Sequence, residues 1–242
     1  MHRFFVPKNA ITDGTAQICG DDVAHITKVL RLKENDSIIL CDGEKSDYYC
    51  TISQVDKACI HLKVEREEPN RAESDLNITL YQGLPKSDKM DFIIQKAVEL
   101  GASKIVPVES ARCVAKMKDN DKKRARWQKI AEEAAKKCGR GIIPSVGDAI
   151  TFSQAINQAH EAKIMPYECE QEGSLSNFIE CNPNCRDMAI YIGPEGGFEA
   201  AEADEATANG VKTVTLGKRI LRCETAGIAT VAAVMYAYGQ WN

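Results

Sequence analysis

Residues 76–108 read LNITLYQGLPKSDKMDFIIQKAVELGASKIVPV. The first six alternate apolar and polar positions, the period of a strand. Over 87–101 the period becomes helical: Met90, Ile93, Ile94, Ala97, Val98 and Leu100 share one face, Ser87 or Asp88 stands at the N-cap, and Gly101 follows the last turn. Residues 104–108 return to a strand. A strand, a helix and a strand in so short a span is the repeating unit of a parallel sheet, because parallel neighbours need a crossover connection.

The alternation continues downstream. The spacing predicts a helix over 121–138 with Trp127, Ile130, Ala131, Ala134, Ala135 and Cys138 inward and Gly139 as its stop. It then predicts a helix over 152–162, strands over 163–167 and 188–192, a helix over 199–209, a strand over 211–216 and a long apolar helix over 225–238. The expected fold class is therefore α/β, with a parallel sheet covered on both faces. Upstream, short β-like runs at 3–6, 37–41, 48–55 and 59–64, punctuated by Asp42-Gly43 and Val55-Asp56-Lys57, predict a small β barrel with one short helix over 25–32. The charged stretch 65–75, EREEPNRAESD, reads as a linker, so the expected domains are 1–72 and 73–242.

Composition agrees with a folded chain. Of 242 residues, 44% are apolar and 27% charged, which excludes collagen-like, disordered and disulfide-scaffold classes. The opening residues lack the features of a secretory signal, and no run approaches the ~18 apolar residues of a membrane span. A cytoplasmic protein with no membrane partner is expected. None of the ten cysteines forms a CxxC pair or stands at zinc spacing, so they read as reduced thiols, with no metal and with Cys181 and Cys185 as a surface pair.

The net charge of −4 argues against nucleic acid only as an average. Residues 112–140 hold 11 Lys or Arg against 4 Asp or Glu, a local charge of +7 on a remainder of −11. Such a face is either a solvated helix or a surface that tracks phosphates.

Two loops lie where ligands bind in such sheets, beyond the carboxyl ends of strands. One is Gly193-Pro194-Glu195-Gly196-Gly197, whose glycines permit close backbone approach. The other is 216–226, LGKRILRCETA, in which Ile220 and Leu221 can flank a flat ring among three basic residues.

These segments carry a resemblance. LPKSDKMDFIIQKAVELGASKIVPV (84–108), SARCVAK (110–116), IGPEGGF (192–198) and LGKRILRCETA, with MHRFFV (1–6) and HITKVLRL (25–32), together resemble the RsmE family of ribosomal RNA small-subunit methyltransferases across essentially the whole chain. The resemblance implies a SPOUT-type carboxy-terminal sheet with a deep trefoil knot, preceded by a PUA-like β-barrel. It implies S-adenosylmethionine as cofactor, a homodimer, and methylation of uracil N3 at a uridine of 16S rRNA in the small ribosomal subunit, with no role for DNA.

By the same resemblance, Leu84, Ile192, Gly193, Pro194, Glu195, Gly196, Leu216, Gly217, Ile220, Leu221, Thr225 and Ala226 line the cofactor cavity. Arg222 stabilises the developing uracil anion. Glu224 either accepts the N3 proton or caps and orients its loop. RNA contacts are expected from Arg3, Lys28 and Arg31 on the barrel and from Arg112, Lys116, Lys122, Lys123, Arg124 and Arg126 beside the site. Two positions depart from the family pattern: Lys218 stands where proline is common, and Glu199 replaces a small hydroxyl residue, which bears on loop stiffness and helix capping. The alternatives are a methyltransferase of the same class acting on another RNA position, and a non-catalytic RNA-binding assembly factor.

Overall fold

The computed structural model describes residues 1–114 and 120–241. The chain divides into two compact units, Met1–Glu73 with Ala135–Ile143, and Ser74–Ala134 with Pro144–Asn242.

The first unit contains β1 (His2–Phe5), β2 (Ile11–Thr12), β3 (Thr15–Cys19), α1 (Asp21–Ala24), β4 (Ser37–Cys41), β5 (Ser46–Val55) and β6 (Cys59–Pro69). They form one six-stranded sheet in the order β1-β4-β5-β6-β3-β2, antiparallel except for the β1/β4 pair. Phe4, Ile18, Ile38, Leu40, Ile52, Ile60 and Leu62 enter a single buried cluster, against which Ile11 of the end strand also packs, so the sheet curls around one core. The predicted helix over 25–32 begins earlier, at Asp21. Acidic residues in its first turn favour that start, and it continues as a single wider turn, His25–Val29, that buries Ile26.

Four expectations are corrected here. The supposed linker begins as sheet: β6 runs on through Glu65–Pro69, pairing Arg66 with Tyr49 and Glu67 with Tyr48. The Arg66 guanidinium lies 3.7 Å over the Tyr49 ring, which keeps the charged strand in register. Residues 135–143 belong with the first unit and not the second. The Glu73 carboxylate accepts from Arg140 Nη2 at 2.8 Å and from the backbone N–H groups of Gly141 and Ile142 at 2.9 and 3.0 Å, with both charged side chains about 5% exposed. Finally, Cys19 and Cys59 face each other in register across β3 and β6 and are disulfide-bonded, so these two are not free thiols. Cys181 is exposed but Cys185 is buried, so they do not form a surface pair.

The second unit contains β7 (Asn77–Gly83), α2 (Lys89–Glu99), β8 (Lys104–Glu109), α3 (Asn120–Cys138, whose last turn belongs to the first unit), β9 (Ser145–Val146), β10 (Ile150–Thr151), α4 (Phe152–Ile156), β11 (Ala162–Pro166), α5 (Leu175–Cys181), β12 (Asp187–Ile192), α6 (Ala200–Ala208), β13 (Lys212–Val214) and α7 (Cys223–Ala237). The strands run in the order β10-β8-β7-β12-β11-β13, with β9 beside β8, and every pair is parallel. α2 packs on α7, and α7 packs on β7 and β12; α4 packs on α6 and β8, and α6 on β13. Both faces are thus covered, as near-continuous apolar strands require.

The predicted helix over 152–162 stops at Ile156. A Thr151/Gln154 capping box opens it, and Asn157 and Gln158 turn their side-chain amides back onto its carbonyls. α5 was not predicted: Leu175, Phe178 and Ile179 stand at helical spacing, but the helix has only seven residues and none of them is fully buried. α7 begins two residues before the predicted start. No described helix is long and apolar enough to cross a membrane.

Candidate functional site

The strand order sets β12, β11 and β13 side by side, so the chain segments leaving their carboxyl ends converge. They surround a cavity of about 900 Å³ lined by Pro166–Gln171 apart from Cys169, by 192–198, by 215–223, and by Lys89 and Ala226. That volume is in the range of small-molecule sites.

The glycine-rich loop is closed on itself. A Cβ on Gly193 would stand 2.9 Å from the Gly197 carbonyl carbon, so only glycine fits there without moving backbone. Glu195 fastens the loop to the start of α2, accepting from the Lys86 N–H at 3.1 Å and from Lys89 Nζ at 2.9 Å. Lys89 also lies 3.5 Å from Glu224 in the first turn of α7, so one ammonium ties both cavity loops. Burial opposes ionisation of Glu195, yet Lys89 and nearby N–H groups hold its carboxyl below the ordinary value. Glu224 is likewise held low against burial, by the amide at the start of α7, by the Cys223 thiol and by Lys89. Burial, and then the adjacent Glu224 carboxylate, push the Cys223 thiol up to about 12.

The second loop reverses at Gly217, whose φ is +98°. Leu216 and Leu221 are half-buried, whereas Ile220 is 88% exposed. Ile220 nonetheless belongs to the cavity lining.

The third segment, after β11, is held by Glu170. Its carboxylate accepts from Thr213 Oγ1 and from the N–H groups of Gln171, Glu172 and Gly173. Thr213 first, then these amides, lower its carboxyl to about 2. A carboxyl depressed in the folded state stabilises the fold above its ordinary value, and that stability is lost as pH falls toward the depressed one. Glu170→Gln is expected to flatten the fall in urea midpoint between about pH 4.5 and about pH 2, leaving the neutral-pH slope unchanged.

Of the predicted cavity residues, Ile192, Gly193, Pro194, Glu195, Gly196, Leu216, Gly217, Ile220, Leu221 and Ala226 line it, as does Arg222. Leu84 is buried nearby, donating its N–H to Val108 O, and Thr225 is exposed on α7; neither is in the lining, nor is Glu224. Sequence reasoning missed Lys89 and the whole Pro166–Gln171 wall. The rule that ligands sit beyond strand carboxyl ends applies to β11 as much as to β12, and would have found that wall.

The basic residues are placed unevenly. Arg3 is turned into the first unit's sheet, ion-paired with Asp47 and only 12% exposed, so it has no free face for RNA. Lys28 and Arg31 are exposed. Arg112 donates to the Gly196 carbonyl at 2.8 Å and braces the glycine-rich loop. Lys122, Lys123, Arg124 and Arg126 lie on the exposed side of α3, but Arg124 pairs with Asp148 at 3.0 Å and Arg126 with Asp91 at 2.6 Å. Lys116 lies outside the described residues. Glu199, despite its departure from the family pattern, keeps its helix capped: its N–H donates to Glu202 at 2.9 Å.

Comparison with known proteins adds to this geometry. The RNA methyltransferase domain family matches residues 72–235, and the RNA methyltransferase PUA domain family matches residues 18–65. Ribosomal RNA small subunit methyltransferase E of Bacillus subtilis is 37% identical over 98% of this chain and 96% of its own. The crystal structure of the Neisseria gonorrhoeae protein of that name, bound to S-adenosyl methionine, superposes with a TM-score of 0.90 at 34% identity, covering both chains in full. A methyltransferase from Legionella pneumophila, solved with the cofactor SAM, gives 0.87 at 27% identity over 97% of each chain. With a family match across most of the parallel-sheet unit and relatives alike over the whole length, the chain belongs to the RsmE family of RNA methyltransferases.

Proposed function

We propose that this protein transfers the methyl group of S-adenosylmethionine to N3 of a uridine in the 16S rRNA of the small ribosomal subunit. The observation that carries the reading is the cavity itself, where both predicted loops meet at the carboxyl ends of neighbouring parallel strands. Its lining fits the cofactor: Ile192, Leu216, Ile220 and Leu221 offer apolar contact for a flat ring, the loop backbone offers polar groups, and the exposed Glu168 offers a carboxylate to a cationic ligand. The deep knot, the homodimer and a cytoplasmic site of action belong to the same reading; exposed Phe92, Tyr236 and Trp241 favour self-association.

When bound, the cofactor supplies an electrophilic methyl group on a sulfonium, so the protein's task is orientation and electrostatics. Arg222, exposed at the lip of the cavity, puts a fixed positive charge where negative charge gathers on a uracil oxygen as N3 loses its proton. Against burial, the amide at the start of α7 and Lys89 hold the Glu224 carboxyl below its ordinary value, which weakens it as a proton acceptor, and its place beside Lys89 suits it to orient the loop. Lys28, Arg31 and the α3 cations hold the RNA backbone without choosing the base.

Ile220→Ala is expected to weaken S-adenosylmethionine binding about tenfold or more, the worth of an aliphatic side chain buried only on binding. The melting temperature should not move, because Ile220 buries almost nothing in the free protein.

The transfer is tested by incubating the purified protein with methyl-labelled S-adenosylmethionine and unmodified small subunits, then digesting the RNA to nucleosides. The label is expected in 3-methyluridine. Label in a ribose or another base would instead assign a different position, and no transfer would leave an RNA-binding factor.

A further inference from the structure

Outside the loop between β13 and α7, the basic residues of α2, of α3 and beside the glycine-rich loop are already engaged. Lys89 is paired with Glu195 at 2.9 Å, Arg124 with Asp148 at 3.0 Å and Arg126 with Asp91 at 2.6 Å, while Arg112 is committed to the Gly196 carbonyl. The loop between β13 and α7 is different. Lys218 and Arg219 both line the cavity mouth, both are exposed, and among the described residues neither has a hydrogen-bond or ion-pair partner. The opposite wall is acidic, with Glu168 exposed and Glu170 ionised. A polyanion reaching this cavity is thus repelled on the β11 side and attracted on the loop side.

We propose that Lys218 and Arg219 are a phosphate clamp for the RNA backbone flanking the nucleotide whose base enters the cavity. The inference rests on the methyltransferase reading and adds a site to it. Arg219 presents a planar fork suited to a phosphate and Lys218 a mobile point charge, so together they grip a strand without reading its sequence. Gly217, with φ +98°, turns the chain immediately before them. Leu216 and Leu221, half-buried on either side, anchor the segment that presents them. The more distant, partly neutralised face of α3 attracts RNA; the clamp sets the position of the strand at the cavity.

The test is the salt dependence of binding to unmodified small-subunit rRNA, measured with the full-length protein. Each lost contact to a single strand removes about 0.7 from the slope of log affinity against log salt, so Lys218→Ala with Arg219→Ala is expected to lower the slope by about 1.4 and to weaken binding roughly tenfold at 0.1 M salt. Lys218→Arg should keep the wild-type slope. Lys104→Ala with Lys212→Ala removes equal charge at exposed positions on the amino ends of β8 and β13, and should also leave the slope unchanged. An unchanged slope in the Lys218/Arg219 variant overturns the clamp while the methyltransferase reading stands. An equal fall in the Lys104/Lys212 variant also overturns it, by showing that net charge alone is at work. A wild-type protein that transfers no methyl group to this RNA defeats the underlying reading, and the clamp with it.

Discussion

Arg222→Ala is expected to slow methyl transfer to RNA by about 10²- to 10³-fold, the usual consequence of removing one preorganised donor from a developing anion. Affinity for S-adenosylmethionine should change little. The reason lies in where the guanidinium stands: it is exposed at the cavity lip, at the position preceding α7, and packs into no core. Its loss therefore costs the fold almost nothing, and the missing positive charge matters only when a substrate is present. Arg222→Lys should retain part of the rate, since a charge remains but its planar geometry does not. Single-turnover rates with saturating cofactor and RNA separate chemistry from binding. A near-normal rate in Arg222→Ala with intact cofactor binding would remove this residue from the mechanism.

The largest effect on stability is expected at Glu73. Truncation to alanine takes the Glu73 carboxylate from the buried Arg140 and the shared acceptor from two backbone N–H groups. Breaking a buried ion pair in this way costs about 3–5 kcal/mol, a large share of a domain's stability. Glu73→Gln should cost less, because an amide oxygen still accepts from Gly141 and Ile142. Urea unfolding gives the free energy, and hydrogen exchange gives the location: protection should fall first over 135–143 and in the strands of the first unit. A loss confined to the second unit would show that the Glu73 anchor is not what holds that segment.

The fold was legible where apolar period and burial coincide. Met90, Ile93, Ile94, Ala97 and Val98 are all buried on α2, and β7, β8 and β12 fall within a residue or two of their predicted bounds. It was illegible where polar residues do structural work. Glu65–Pro69 looks like a linker because its side chains are exposed, yet a strand needs only backbone partners, and β5 provides them. Glu73 reads as one more charge in a charged run, and nothing local reveals that residues nearly seventy positions later donate to it. Likewise, Arg3 carries an ordinary surface-type sequence signature, but its partner Asp47 lies on a non-neighbouring strand.

The candidate site was legible in its loops and not in its wall. Glycines and alternating apolar and basic residues advertise 193–197 and 216–222. Tyr167, Glu168 and Glu170 follow β11 and were within reach of the same carboxyl-end rule, but they carry no glycine or apolar–basic pattern of their own, and it is the order β12-β11-β13 that brings them to the loops. Lys89 was hidden for a related reason: on α2 it is one polar residue among several, and only the fold brings Glu195 and Glu224 to its ammonium.

The account turns on one cavity being the seat of the methyl donor, and calorimetric titration with S-adenosylmethionine, run on the wild type and on Gly193→Val, tests it most directly. A valine there drives its side chain into the Gly197 backbone and displaces the loop. The account predicts one cofactor per wild-type chain, and in a folded Gly193→Val protein a loss of affinity of about a hundredfold or more. No binding by the wild type, or equal binding by the folded variant, would contradict it.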